Sequence, residues 1–363
     1  MSNKSKLVLL GGVIFVALAI LLSVRIFSPH SPRLPNPPLK DLAANHQVQL
    51  GNYASLKRLS DKPYADILTS QYEFLTIDGE PNWMFNDGTL RPSPTKYDYT
   101  NIDQVFNFAR AHNMPVQIHH LVWGEDKWLP NWLKEGNYNK EQLLNILHDH
   151  ISNVAGHYSG QVREWTVVNE AFTRGAQVNG LHDWWLDHTG DRSYIDNSFI
   201  WAHQADPNAK LILNDFSNEG INNISNDMYN YVKDAKSRGV PIDGIGMQMH
   251  IDAGHSPNKD DVIKNMQRFD AIGVKTYITE FDVNLNQVKD DAKYRNDLQS
   301  SIYYQMARAC IESKSCPSFA ELGITDKETW YNELGWTKSQ PLLFDDKYHV
   351  KPAFYAFRQA WQQ

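Results

Sequence analysis

Glu170 and Glu280 each stand directly after a short apolar, β-rich run. Trp165, Val167 and Val168 precede the first; Val274, Tyr277, Ile278 and Thr279 precede the second. Parallel strands that end side by side can deliver two such carboxyl groups to one cleft. That pairing is what cleavage of a glycosidic bond requires. One group protonates the leaving oxygen, and the other attacks the sugar or activates water. Most glutamates lie on protein surfaces, but an apolar run leading into each of these argues for burial.

The elements that would carry the two glutamates recur along the chain. Apolar runs at 48–51, 73–76, 116–119, 165–168, 210–213, 244–247, 275–279 and 318–322 read as strands. Between them lie patterns of helical period at 101–112, 140–155, 194–205, 228–238, 262–272 and 294–311. Several of these end at Gly or Asn, as at Gly239 and Gly273. Eight strand–helix alternations over about 320 residues predict an α/β fold, a (β/α)8 TIM barrel. A doubly wound sheet would place a glycine-rich phosphate loop after its first strand, whereas Gly51 is followed by Asn52, Tyr53, Ala54 and Ser55. Polar residues gather after successive strands: His119 and His120, Asn169 and Glu170, Asn214 and Asp215, Gln248 and His250, Glu280 and Asp282. In a barrel that end of the strands carries the active site.

Composition narrows the partners. Aromatics make up 12% of the chain, including 11 Trp, and flat rings suit the apolar faces of sugars. The first 40 residues hold five basic residues and no acidic one. The remaining 30 basic and 42 acidic residues leave a body near −12. An acidic body without a basic stripe excludes nucleic acid as a partner. No H-E-x-x-H cluster or G-x-S-x-G elbow is present, so neither metal nor cofactor is expected. Cys310 and Cys316 would be joined in an oxidising compartment and free thiols in a reducing one.

Lys4 and Lys6 precede an unbroken apolar run over 7–24, long enough to span a bilayer. The segment after it makes a poor cleavage site. Residues 1–27 therefore read as a signal anchor with the N-terminus cytoplasmic and the body extracytoplasmic. The alternative is secretion after cleavage. Five prolines within 29–38 make residues 28–41 a stiff spacer. The catalytic domain is expected over 42–363, as a monomer.

Over about 42–361 the chain resembles glycoside hydrolase family 10, the retaining endo-β-1,4-xylanases. Trp165-Thr166-Val167-Val168-Asn169-Glu170 is similar to the family's WDVVNE, and Ile278-Thr279-Glu280-Phe281-Asp282 to its ITELD. Gly244-Ile245-Gly246-Met247-Gln248-Met249-His250 matches GIGxQxH, and His119 to Trp123 resembles HTLVW. Gly323 to Asp326 with Trp330, then Pro341 to Asp345, resemble the closing segment.

The resemblance implies Glu170 as acid/base, Glu280 as nucleophile, and Asn82, His119, Trp123, Asn169, Gln248, His250 and Trp330 as substrate-binding residues. It implies xylan or a related β-1,4-linked plant glycan as substrate, and a disulfide between the two cysteines. The chain departs from the pattern at four places. Phe85 stands for a Lys, Leu322 for a Trp, Gly124 for a His, and Phe216-Ser217 for Tyr-Asn. These changes spare the carboxylate pair and alter the shell around the sugar. Altered glycan or oligosaccharide specificity, or a catalytically silent polysaccharide-binding protein, are the competing readings.

Overall fold

The computed structural model describes residues 34–79, 83, 90–289 and 291–363. The expected anchor, residues 28–33 of the spacer and Asn82 lie outside them.

Among the described residues nine parallel strands form the sheet: β1 (Gln49–Ala54), β2 (Phe74–Asp78), β3 (Val116–Trp123), β4 (Val162–Asn169), β5 (Lys210–Asp215), β6 (Gly244–Met247), β7 (His250–Asp252), β8 (Lys275–Asn284) and β9 (Ser318–Glu321). Strands β1 to β6 pair in sequence order, β6 pairs with β8, β8 with β9, and β9 with β1. That circuit closes an eight-stranded barrel. The three-residue β7 adds only to the far end of β8, where His250 pairs with Asp282. The (β/α)8 expectation holds, and each expected strand falls on an observed one.

The strands run further than their apolar runs. β3 continues through His119 and His120 to Trp123, β5 through Asn214 and Asp215, and β8 through Glu280 and Asp282. These polar residues are in the strands rather than after them. A strand needs only its backbone ladder, so buried polar side chains extend it once they find partners.

The seam between first and last strands is pinned by one side chain. Asn52 on β1 donates from Nδ2 to the Gly323 carbonyl (3.0 Å) and accepts the Gly323 N–H at Oδ1 (3.1 Å). Gly323 has φ +117°, which a side chain would strain.

Helices of the expected period surround the barrel, among them Lys140–His157, Asn223–Ser237 and Ala292–Ser313. A helix at Leu39–Ala44 begins within the stretch read as spacer, with Leu39 and Ala43 fully buried. It packs beside the closing helix Pro352–Gln362. There Arg358 donates to the Asn36 carbonyl at 2.7 Å, and a His46 ring nitrogen lies 3.0 Å from the Trp361 carbonyl. Cys310 and Cys316 are disulfide-bonded, fastening the end of helix Ala292–Ser313 to the approach to β9. Among the described residues no helix is long and apolar enough to cross a membrane.

Replacing Asn52 by Ala orphans both backbone groups of Gly323 inside the seam. The expected loss is about 1–3 kcal/mol, read as a lower urea midpoint at unchanged slope.

Candidate active site

Strand register brings the functional residues to one level. Trp123 pairs with Asn169, Asn169 with Asn214, Asn214 with Gly246, and Gly246 with Tyr277. Gly246 is required at its place in this row, because a Cβ there would fall 2.0 Å from Asn214 Oδ1. The missing side chain makes room for Asn214, which is fully buried.

Glu170 follows β4 with a left-handed backbone, φ 60° and ψ 23°, a conformation costing a non-glycine residue of order 1 kcal/mol or more. Several contacts offset that strain. Its N–H donates to the Asn214 carbonyl (2.8 Å), and its carbonyl accepts the Arg174 N–H (3.1 Å). Asp215 accepts the next N–H groups, from Phe172 (2.7 Å) and Thr173 (3.2 Å). Burial pushes Asp215 up to about 7 against those donors, and the Glu170 charge adds to the rise.

The turn sends the Glu170 carboxyl into the mouth of the barrel, 8% exposed. Its Oε2 accepts from the Trp123 indole (2.7 Å) and from Arg174 Nε (2.6 Å). Its Oε1 accepts from the Gln248 amide (3.1 Å).

Glu280 lies within β8, 6% exposed. Asn214 Nδ2 donates to its Oε1 at 2.8 Å. His250 Nε2 is 3.4 Å from Oε2, and His119 Nε2 is 3.7 Å from Oε1. Burial alone would raise this carboxyl. The His119 charge, then the His250 hydrogen bond and charge, and the Asn214 donor outweigh burial and hold it below the ordinary carboxylate value.

His250 is fixed from behind. Its Nδ1 is 3.0 Å from Oδ2 of the fully buried Asp282, which also accepts from Trp330 Nε1 (3.0 Å) and the Tyr331 hydroxyl (2.9 Å). Burial works against a charged imidazole, but Asp282 and then Glu280 overcome it and raise His250 to about 10. One aspartate thus sets the orientation of both the histidine and the tryptophan beside Glu280.

The two carboxylates are joined by a continuous run of side-chain hydrogen bonds. Gln248 Nε2 donates to Glu170 Oε1 and to Asn169 Oδ1 (3.2 Å). Asn214 Nδ2 donates to the same Asn169 oxygen (2.8 Å) and to Glu280. With its oxygen holding two donors, Asn169 keeps its NH2 group to offer a ligand.

Eight of the nine expected site residues therefore meet: Glu170, Glu280, His119, Trp123, Asn169, Gln248, His250 and Trp330. Asn82 lies outside the described residues. Three further residues belong to the constellation. Asn214 links the pair, and Asp282 orients His250 and Trp330. Arg174 grips Glu170, and its position four residues on, at the spacing of one helical turn, was a signal for it in the sequence. Among the described residues no cluster of His, Cys, Asp and Glu is arranged to hold a metal ion.

A closed parallel barrel with two buried, hydrogen-bond-linked glutamates at the carboxyl ends of its strands defines a barrel glycoside hydrolase. Known proteins narrow the class. The family model described as glycosyl hydrolase family 10 matches residues 38–360. The chain is 33% identical over 331 residues to endo-1,4-beta-xylanase B of Thermotoga neapolitana, covering 90% of this chain and 92% of that protein. It superposes on native xylanase 10B from Thermotoga maritima with a TM-score of 0.82 at 34% identity, covering 90% of this chain and 98% of that one. Xylanase 10B from Thermotoga petrophila RKU-1, solved with xylobiose, matches with a TM-score of 0.82 at 34% identity, covering 91% and 99%. The chain belongs to glycosyl hydrolase family 10.

Gly246→Ala forces Asn214 off Glu280 and Asn169 while leaving the barrel closed. Activity is expected to fall about 10- to 100-fold with an unchanged circular dichroism spectrum.

Proposed function

We propose that this protein is an endo-β-1,4-xylanase that cleaves internal bonds of xylan by double displacement with retention. The hydrogen-bonded run from Glu170 through Gln248, Asn169 and Asn214 to Glu280 carries the reading. It holds two carboxyl groups in one mouth, as acid and nucleophile require, and its Asn214 end helps hold Glu280 below the ordinary carboxylate value. Glu280 attacks the anomeric carbon as the carboxylate, while Glu170 protonates the departing oxygen. Glu170 then takes a proton from the water that releases the sugar from Glu280. The free NH2 of Asn169 is suited to the 2-hydroxyl beside the breaking bond. His119, Trp123, Gln248, His250 and Trp330 surround the reacting sugar, and Asn82 is assigned to the neighbouring sugar on its non-reducing side.

Residues 1–27 serve in this proposal as a signal anchor and 28–41 as the approach to the body, which works as a monomer outside the cytoplasm. The Cys310–Cys316 disulfide supports an oxidising compartment. A specificity shifted toward short or decorated chains is the second reading. It is favoured by Phe85, where the family pattern has Lys, and by Leu322, which follows β9 where the pattern has Trp and so supplies no ring for a sugar to stack on. The ratio of kcat/KM on polymeric xylan to that on short xylosides separates the two.

Reducing-sugar release from xylan by the full chain tests the activity. Glu280→Ala is expected to abolish it. Glu170→Ala is expected to lose about 10²- to 10⁴-fold on xylan and to recover on xylosides with a good leaving group. Absence of activity on xylan in the unaltered protein overturns the assignment.

The acidic limb of kcat/KM should lie below the ordinary carboxylate range, because Glu280 is depressed. His250→Gln removes one of the depressing groups, so the limb moves to higher pH. The same substitution carries a stability signature. His250 is raised from 6.5 to about 10, so its contribution is complete below 6.5 and lost as pH rises through about 10. The unaltered protein's stability advantage over His250→Gln is expected to narrow across that window, read by urea unfolding.

A further inference from the structure

Arg174 is held at four points. Its Nε donates to Glu170 Oε2 at 2.6 Å, and one terminal nitrogen forms an ion pair with Glu125 Oε2. The other terminal nitrogen reaches the His182 carbonyl at 3.4 Å. The guanidinium carbon lies 5.4 Å from the centre of the Trp123 ring. The residue is 6% exposed, so this is a fixed guanidinium rather than a surface charge.

The backbone explains how it gets there. The left-handed turn at Glu170 starts the helix Ala171–Gly175, and one turn of that helix folds Arg174 back over the glutamate that began it. Glu125 arrives from the other side, on the loop after β3. That loop passes so close to the next segment that a Cβ at Gly124 would fall 2.1 Å from Asp183 Oδ1 and 2.9 Å from the Trp184 nitrogen. The Trp184 N–H donates to the Gly124 carbonyl at 3.0 Å. Gly124, one of the departures from the family pattern, thereby lets Glu125 come within reach of Arg174.

The consequence falls on the two oxygens of Glu170. Oε2 takes two N–H donors at 2.7 and 2.6 Å, from Trp123 and Arg174. Oε1 takes one, at 3.1 Å, from Gln248. An oxygen already holding two short N–H donors has no lone pair left for a proton, whereas Oε1 has one.

We propose that Arg174, anchored by Glu125, is a positioning residue that occupies Oε2 of Glu170 together with Trp123, and so assigns proton exchange with the glycosidic oxygen to Oε1. The proposal rests on the reading of Glu170 as acid/base. Without Arg174 the carboxyl group can rotate about its terminal bond, and the two oxygens lose their distinct roles. The cost falls on the proton transfer and not on attack by Glu280.

That separation supplies the test. Aryl β-xylobiosides graded in leaving-group acidity, from 2,4-dinitrophenyl to 4-methoxyphenyl, need progressively more help from an acid. For Arg174→Met, kcat/KM is expected to fall about 10- to 100-fold at the 4-methoxyphenyl end, with the loss shrinking toward the 2,4-dinitrophenyl end. Arg174→Lys keeps the charge without the planar fork, and is expected to give a smaller loss of the same slope. Glu125→Gln, on a partly exposed side chain, is expected to behave likewise, so the proposal stays testable even where Arg174→Met does not fold. Losses equal across the series, or no loss in any of the three variants, overturn the role of Arg174. Glu170→Ala run beside them tests the parent reading separately. Equal losses across the series in that variant overturn the acid/base assignment itself, whatever the Arg174 variants do.

Discussion

The buried amide of Asn214 is the contact on which the site depends. Its single NH2 group donates to Asn169 and to Glu280. Its oxygen accepts the Thr279 hydroxyl at 2.7 Å, and its backbone carbonyl receives the N–H of Glu170. One side chain and one peptide group therefore tie strands β4, β5 and β8 together at the level where chemistry is proposed. Ionised carboxylates are costly to bury, and a partly satisfied polar network is worse than an apolar core. Here each Glu170 and Glu280 oxygen has a nitrogen partner, and Asn169 closes the run between them.

The rest of the barrel can be understood as the means of holding that amide in place. Closure through β9 and β1, with Asn52 across the seam, fixes the number of strands and hence the diameter. Register then sets Asn214 level with Asn169 and Gly246. The bare Cα of Gly246 clears the space that Asn214 fills. Asp282 does for the Glu280 side what Asn214 does for the pair, because one buried carboxylate orients His250, Trp330 and Tyr331.

The barrel was legible in the sequence because its strands are buried on both faces and read as apolar runs, with helical periods between them. Their carboxyl ends were not. His119, Asp215 and Asp282 continue strands, and a polar residue carries no sign of whether it is a turn or a buried member of a hydrogen-bonded ladder. The two glutamates stood out because apolar runs lead into both. Asn214 was visible as a polar residue near a strand end, but its link to Glu280 depends on β5 and β8 flanking β6 in the closed barrel, which no local pattern encodes. Arg174 faces Glu170 only because the left-handed turn at Glu170 starts a helix at once. The short helices Leu39–Ala44 and Trp184–Thr189 are too brief to display a period. Leu39–Ala44 is stabilised by packing on the closing helix, a contact about 310 residues away along the chain.

The clasp between the two ends of the body fixes where it can be attached. Arg358 holds the carbonyl of Asn36, and His46 meets that of Trp361. Chain entry and chain exit are thus neighbours beside the amino end of β1, while Glu170 and Glu280 open at the carboxyl ends of the strands. A load pulling on both ends would be borne by this clasp before it reached the sheet. A fusion or a solid support joined after helix Pro352–Gln362 would leave the mouth of the barrel open to a long polymer.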